Sequence, residues 1–499
     1  MENSSSIRKK KGSYRHILKY TGLFGVVQVL KMLMDIIRNK IAAVFLGPSG
    51  IGLLGIYSKA IGMVSDSSSF GISISSVKHI SERQESGRCD ELLNYIMTVR
   101  MFSLFAGLLG SLVFFILSPL FNQWADSSDV STFSYSVLSP VILMMSVTGG
   151  EMSILKGTKQ LTRVTKVSIY MALSMLLVFS PLFFFLKKDG VVLALLLSNL
   201  CILIVHLYYS TRDFPYRLSF SRSIFQSGYP LLKAGIWLMI AGLFGKGSEY
   251  LVYTIILNIG GESSVGLYNS GYIMAISYAS IIFSALDADY YPRLSSSSEL
   301  TYQNTTVNNQ IEVCLLLVTP FLIFFAIAMP IIIPLLYSGK FVYAIPMSIG
   351  ALLFMYFRSL GLPIGYLSLA RGDTLMYMIA ELIYDVMIAA LVPYSFIHWG
   401  LVGTGFTLSF CGLLDFLIIY VLYSHRYKFR FDWGKSGIYL VQFLFLSVSV
   451  YIGLTTTGFL RWLVGGLCCL CSLSLSYFIL SRATDFTTML KSKIKRNHE

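Results

Sequence analysis

Apolar stretches of membrane-crossing length follow one another along the whole chain, parted by short polar loops. No other feature constrains the fold as strongly. A bilayer core needs about 20 apolar residues per helix, and a helix satisfies its backbone hydrogen bonds within its own segment. Fourteen segments meet that length: 17–46, 51–77, 92–118, 132–155, 164–186, 190–210, 228–258, 265–291, 311–336, 341–370, 374–397, 401–424, 436–456 and 460–481. The expected fold class is all-α, a polytopic membrane protein of about fourteen transmembrane helices. Composition agrees: 13% of residues are charged and 55% apolar, against about 25% charged in a soluble domain. The 14% of aromatic residues excludes a disordered chain.

The net charge of +14 raises the question of nucleic acid, and its placement answers it. With the N-terminus in the cytoplasm, 27 of the 39 Lys and Arg fall in cytoplasmic segments and 3 (Lys187, Lys188 and Lys340) in outer ones. That asymmetry reads as topology, with both termini cytoplasmic, and not as a nucleic-acid footprint. One lost helix would invert every later loop. The loops are short, as at Gly47-Pro48-Ser49-Gly50, Trp124-Ala125-Asp126 and Thr455-Thr456-Thr457. No extramembrane domain is expected, which disfavours a receptor and a glycan polymerase or ligase. Arg8, Lys9, Lys10 and Lys11 precede no small-residue cleavage site, so no removable signal peptide is expected. Six of the seven cysteines lie in apolar runs, and Cys468–Cys471 lacks a second ligand group for a metal. Asn304-Thr305-Thr306 matches a glycosylation acceptor but falls in an expected cytoplasmic loop. No nucleotide domain, phosphate loop, Gly-x-Ser-x-Gly elbow or His-rich metal set is present. The expectation is a protein that is not an enzyme, with no catalytic residues and no metal.

The chain matches itself at an offset of 214 residues. Leu46-Gly47-Pro48-Ser49-Gly50-Ile51-Gly52-Leu53 falls on Gly260-Gly261-Glu262-Ser263-Ser264-Val265-Gly266-Leu267. In the preceding helices Asp35 falls on Glu249, and Lys31 one position from Lys246. An even number of spans separates the copies, so both run the same way. Parallel repeats of this kind are typical of alternating-access transporters, with the site between the halves. The expected domains are an N-lobe of helices one to six (1–221), a C-lobe of helices seven to twelve (222–430), and an appendix (431–499) of two extra C-terminal helices and a basic cytoplasmic tail.

Charges at bilayer depth cost several kcal/mol unless paired or hydrated, so each is a functional candidate. In span one, Lys31, Asp35 and Arg38 follow i, i+4, i+7 and share one face. They form either a cationic strip that binds an anionic substrate, with Asp35 holding the bases, or a buried ion-pair ladder between helices. Lys40 lies near the outer end and can snorkel. Span seven carries Lys246 and Glu249 one turn apart near mid-depth, with Lys233 nearer the cytoplasm. Arg358 lies mid-depth in span ten and Arg100 a third of the way into span three. In span two, Asp66 follows Lys59 at i+7. Glu381 and Asp385, at i, i+4 in span eleven, with Asp415 in span twelve, cannot all stay ionised in low dielectric without a cation. They suit H⁺ or Na⁺ coupling; alternatively Arg358 or Lys246 neutralises them. Asp287 and Asp289 read as a solvated end. Pro330, Pro334, Pro346 and Pro363 are expected to kink spans nine and ten.

The stretch from Asp35 through Arg38 to Leu46-Gly47-Pro48-Ser49-Gly50-Ile51-Gly52-Leu53 resembles the start of bacterial polysaccharide-repeat flippases. These are the Wzx-type O-antigen translocases of the multidrug/oligosaccharidyl-lipid/polysaccharide exporter superfamily. Their first helices carry charges and then a Leu-Gly-Pro-x-x-x-Gly-Leu/Tyr turn. The resemblance implies a cargo of short oligosaccharide on undecaprenyl pyrophosphate, moved from the inner to the outer leaflet of the bacterial inner membrane. The reading of the intramembrane charges fits such a cargo, with candidate substrate contacts at Lys31, Asp35, Arg38, Lys246, Glu249 and Arg358, of which Lys31, Arg38, Lys246 and Arg358 could hold the pyrophosphate. The expected partners are a lipid-linked oligosaccharide, membrane lipid and the polysaccharide polymerase machinery, with no nucleic acid, and no cofactor is expected beyond the H⁺ or Na⁺ that Glu381, Asp385 and Asp415 could couple. Two departures stand beside it. Seven intramembrane bases face six acids, which is less one-sided than a pyrophosphate carrier suggests. Fourteen spans exceed the usual twelve, and the extra pair resembles the lipid-groove helices of lipid II flippases, keeping that cargo open. The alternative is a cation-coupled multidrug-type exporter, which the C-lobe carboxylates favour. A membrane glycan enzyme would need a catalytic loop.

Overall fold

The protein, seen in a computed structural model, is described over residues 2–125, 131–217 and 222–484. Side chains are described from Leu33 onward, except at 74, 161, 222–235, 237, 238, 285, 288, 289 and 482–484. Helices follow in the order α1 (Glu2–Ser68), α2 (Ile72–Glu85), α3 (Cys89–Ala125), α4 (Thr132–Gly157), α5 (Leu161–Leu186), α6 (Gly190–Ser210), α7 (Arg222–Tyr272), α8 (Ser280–Ser295), α9 (Leu300–Leu336), α10 (Ile345–Ala370), α11 (Thr374–Tyr427), α12 (Ser436–Thr455) and α13 (Phe459–Thr484). No strand occurs among the described residues. Nine stretches of them are long and apolar enough to cross a membrane. Two of these, Thr162–Ser210 and Thr374–Tyr427, each hold two expected spans, broken at Lys187–Asp189 and at Gly400. The expected span 228–258 lies in α7, and 265–291 runs from the end of α7 through a π-helical segment (Ile273–Ser277) into α8; neither is among the nine, so fourteen remains an expectation of the sequence.

Three joints carry a backbone that helices do not use. Gly47 (φ 68°, ψ −172°) divides α1, Gly261 (φ 72°, ψ 175°) divides α7 and Gly400 (φ 62°, ψ −156°) divides α11. This region is open almost only to glycine, because a Cβ would clash with the backbone. Gly47 and Gly261 lie 214 residues apart, the offset of the sequence self-match, and share one conformation. A Cβ on Gly261 would meet no atom within 4 Å, so Gly261→Ala tests the backbone alone. It is expected to cost about 1–3 kcal/mol, read as a lower melting temperature in detergent; an unchanged melt would show that the joint relaxes without strain.

The contacts divide the chain into two units, Met1–Val265 and Gly266–Glu499. The break falls just after the joint at Gly261 in α7. In the first unit α3 and α4 approach closely at small residues: Gly107 lies against Leu143, Gly150 against Ser103, and Gly110 of α3 against Ser68. Without a solvent that drives apolar surfaces together, such close approach is what holds helices in a bilayer. Ile72, Ile80, Leu92, Ile96, Val99, Phe102 and Ile154 bury one core among α2, α3 and α4, and Ser76 bonds Ser153 across it at 2.8 Å. Phe105, Leu112 and Ile116 on α3 stay exposed, as a lipid-facing surface allows.

In the second unit α10 packs between α9 and α11. A Cβ on Gly405 would collide with the Met347 carbonyl, and one on Gly412 with Phe354. Ser409 accepts from the Phe354 N–H at 3.0 Å and donates to the Gly350 carbonyl at 2.6 Å. The α12–α13 pair is joined by buried polar groups, with Gln442 bonding Ser472 and Ser476. Pro320, Pro330 and Pro334 lie inside α9 and Pro363 inside α10. Pro346 corrects the expectation of a kink: it stands in the first turn of α10, where a missing N–H removes no helical bond.

Candidate functional site

Among the described residues, charged side chains of the spans gather around Glu249 in the first unit and around Arg358 in the second. In the first unit the arm of α1 beyond Gly47 meets α7. Lys59 and Asp66 lie two turns apart on one face of α1, and Lys246 and Glu249 lie one turn apart on α7. The Lys59 Nζ donates to Glu249 Oε2 at 2.6 Å. The Lys246 Nζ reaches the same oxygen at 3.3 Å and Oε1 at 3.4 Å. Two ammonium groups thus share one carboxylate. Lys59 also lies over the Tyr253 ring, 5.2 Å from its centroid. Gly62 leaves room for the Lys246 stem, and Gly242 for Asp66. The side chains are 24% (Lys59), 39% (Lys246) and 31% (Glu249) exposed, so the cluster is reachable and not sealed in a core.

On one side of this cluster α7 is fastened by aromatic contacts. Tyr250 packs edge-on against Phe121 at 5.4 Å, and its hydroxyl lies 3.5 Å from that of Tyr135. Asn258 donates to the Trp124 carbonyl at 2.8 Å, and Lys188 pairs with Glu262 at 2.8 Å.

The expected strip of α1 is seen in part. Arg38 Nη1 lies 3.3 Å from Asp35 Oδ1 and 3.4 Å from the Met175 sulfur on α5, and Nη2 bonds Asn39. The side chains of Lys31 and Lys233 lie outside the described residues. Arg100 does not join these bases. It is 2% exposed and pairs with Glu151, an acid the sequence reading missed although it too stands inside an apolar span.

In the second unit Arg358 holds two carboxylates. Its Nη1 lies 3.3 Å from Asp415 Oδ2, and its Nη2 lies 3.8 Å from Glu381 Oε1. The guanidinium stands over Tyr384, 5.8 Å from the ring centroid. Asp415 is 5% exposed, Arg358 22% and Glu381 32%. Arg358, one of the two neutralising bases named from sequence, contacts both Glu381 and Asp415. Asp385 follows one turn after Glu381 and is half-buried. Asp287, expected at a solvated end, is half-buried and accepts from the Tyr366 hydroxyl at 2.9 Å. Nothing in its own segment signals Tyr366, which is 79 residues away. Among the described residues no three His, Cys, Asp or Glu side chains converge as a metal-binding group.

Comparison with known proteins adds three findings. A family model described as polysaccharide biosynthesis protein matches residues 41–346. A search of curated proteins finds no match. Among solved structures, the chain is similar to the lipid II flippase MurJ in an inward closed conformation, with a TM-score of 0.67 and 17% identity over 92% of this chain and 99% of that one. It is also similar to a multidrug resistance MATE family transporter of the MOP superfamily in its inward-facing conformation, with a TM-score of 0.64 and 16% identity over 80% and 94%. A MOP superfamily transporter from Pyrococcus furiosus follows at a TM-score of 0.51 and 16% identity, over 81% and 93%. These likenesses show a shared multi-pass helical fold.

Proposed function

The chain belongs to the polysaccharide biosynthesis protein family, and from that premise we propose that it is a flippase for a lipid-linked oligosaccharide. The cargo in this reading is a repeat unit on undecaprenyl pyrophosphate, carried by alternating access from the inner to the outer leaflet of a bacterial inner membrane. Both termini of the protein then face the cytoplasm. The observation that carries the reading is the partly exposed Lys59–Glu249–Lys246 group, where two ammonium groups converge on one carboxylate between α1 and α7. A carboxylate shared by two lysines can be exchanged for a phosphate, which accepts from both ammonium groups. Lys31 and Arg38 would add to the same anionic contact, with Asp35 holding these bases in place, and Arg358 would serve the second unit.

Glu381, Asp385 and Asp415 are the proposed coupling groups. A proton on Glu381 would loosen its hold on Arg358, so H⁺ suits the arrangement better than a caged Na⁺. The polymerase machinery is the proposed downstream partner, because a repeat unit delivered outside must be consumed there.

The deciding experiment is mass spectrometry of lipid-linked glycans, sorted by leaflet, in cells depleted of the protein. The expected result is accumulation of a lipid-linked oligosaccharide on the cytoplasmic side, whose mass identifies the cargo. An unchanged pool with intact surface glycan would sink the reading and favour cation-coupled export of a small molecule.

A further inference from the structure

The chain leaving α6 toward α7 connects the two sequence lobes, and one buried ion pair grips it. Arg100 on α3 donates from Nε and Nη2 to the two oxygens of Glu151 on α4, at 2.8 and 3.0 Å. Both side chains are 1% exposed. The guanidinium then reaches beyond its partner. Nη1 donates to the Pro215 carbonyl at 2.8 Å and Nη2 to the Phe214 carbonyl at 3.0 Å. Tyr216 covers it, with the guanidinium carbon 4.8 Å from the ring centroid. Phe214 packs against the core of α2, α3 and α4. Just before it, Arg163 and Gln160 of the α4–α5 region hold Asp213 at 2.8 and 3.1 Å, and Arg163 also donates to the Tyr209 carbonyl.

A carboxylate alone engages only part of a guanidinium fork. Out of water, the remaining donors need acceptors, and the strap carbonyls of Phe214 and Pro215 are those acceptors. The ion pair and the strap therefore require each other. Lysine could not replace this fork, because its ammonium is a single donor centre.

We propose that Arg100 is a positioning residue that, braced by Glu151, cleats the interlobe strap through Tyr216 onto α3 and α4. The strap then moves as one body with these helices during transport, and Arg100 touches no cargo. Only the transport readout below rests on the flippase reading.

Arg212 is exposed on the strap, here residues 211–217, and offers trypsin a bond. A protease cuts only where the chain opens locally. In membrane vesicles the wild-type strap should resist trypsin. In Arg100→Met, Arg100→Lys and the apolar double variant Arg100→Met with Glu151→Leu, cutting after Arg212 should be roughly tenfold faster. Cutting after Arg83 and Arg88, outside the strap, should not change. The double variant leaves no unpaired buried charge, so it should keep the wild-type melting temperature while its strap is released. Strap cutting at the wild-type rate in the double variant overturns the proposal. So does an equal rise at Arg83 and Arg88, which would make the pair a general fold element. Full protection in Arg100→Lys overturns the role of the fork. In transport, the double variant should lower the maximal rate and leave half-saturation unchanged; a raised half-saturation would instead place Arg100 at the cargo. The protease result stands whether or not the cargo is a lipid-linked saccharide.

Discussion

On the proposed flippase reading, Glu249→Gln is expected to cut saccharide export about tenfold or more while the protein still accumulates in the membrane. Glu249 is the acceptor shared by Lys59 and Lys246, and glutamine keeps its shape but not its charge. Two ammonium groups then face each other across a neutral amide. Because the three side chains are a quarter to two-fifths exposed, water and salt offset part of the repulsion. The stability cost should be about 1–2 kcal/mol, less than the roughly 3–5 kcal/mol of breaking a fully buried pair. The functional cost should be larger, about tenfold or more in export, since charges at this depth are seldom kept for stability alone. Lys59→Glu combined with Glu249→Lys restores a shared carboxylate with the geometry reversed. It should recover the melting temperature lost in Glu249→Gln, while cargo contact at position 59 becomes repulsive. Export is scored as surface glycan, with membrane protein level as the control. Wild-type export in Glu249→Gln would remove this cluster from the transport cycle. Full export in the swapped variant would make it a structural clasp between α1 and α7 and not a binding site.

Arg358→Met is the second change of large expected effect, and here stability leads. Methionine fills much of the volume but leaves Asp415 buried at 5% exposure beside Glu381. A buried carboxylate without its cation costs about 3–5 kcal/mol, which is a large share of the marginal stability of a fold. The variant should melt well below wild type or fail to accumulate. Adding Glu381→Gln and Asp415→Asn removes the stranded charges, so the triple variant should regain most of the melting temperature. Its transport should stay lost if these carboxylates carry the coupling proton. Glu381→Gln alone keeps the Arg358–Asp415 pair and should accumulate normally. Its transport should no longer respond when the proton gradient is collapsed. A triple variant that transports at the wild-type rate would exclude the cluster from coupling, and a stable Arg358→Met would show that the pair does not hold α10 to α11.

Much of the protein is readable from one dimension because a bilayer demands the same apolar length of every span. Apolar length, the positions of the breaks at Gly47, Gly261 and Gly400, and the 214-residue recurrence of the first break are local properties. So is the Lys246–Glu249 contact, which one helical turn brings within reach. The Asp35–Arg38 pair is legible for the same reason. Pro346 misled because a proline inside an apolar run looks alike at a kink and at a helix start; only the position of Ile345 as the first residue of α10 separates them.

The pairings across helices were hidden. Lys59 finds Glu249 from 190 residues away, Arg100 finds Glu151 from 51, and Arg358 finds Asp415 from 57. Which side chains meet depends on how each helix is rotated about its axis and how closely small residues such as Gly107, Gly150, Gly405 and Gly412 let it approach its neighbour. Sequence therefore determined that this chain lives in a membrane, where its helices break and which residues carry charge at depth. The tertiary structure alone decided which of those charges are spent on holding the fold, as at Arg100 and Glu151, and which stay partly exposed, as at Lys59, Lys246 and Glu249. The cost of a buried charge is set by its partner, and a partner on another helix is a property of packing.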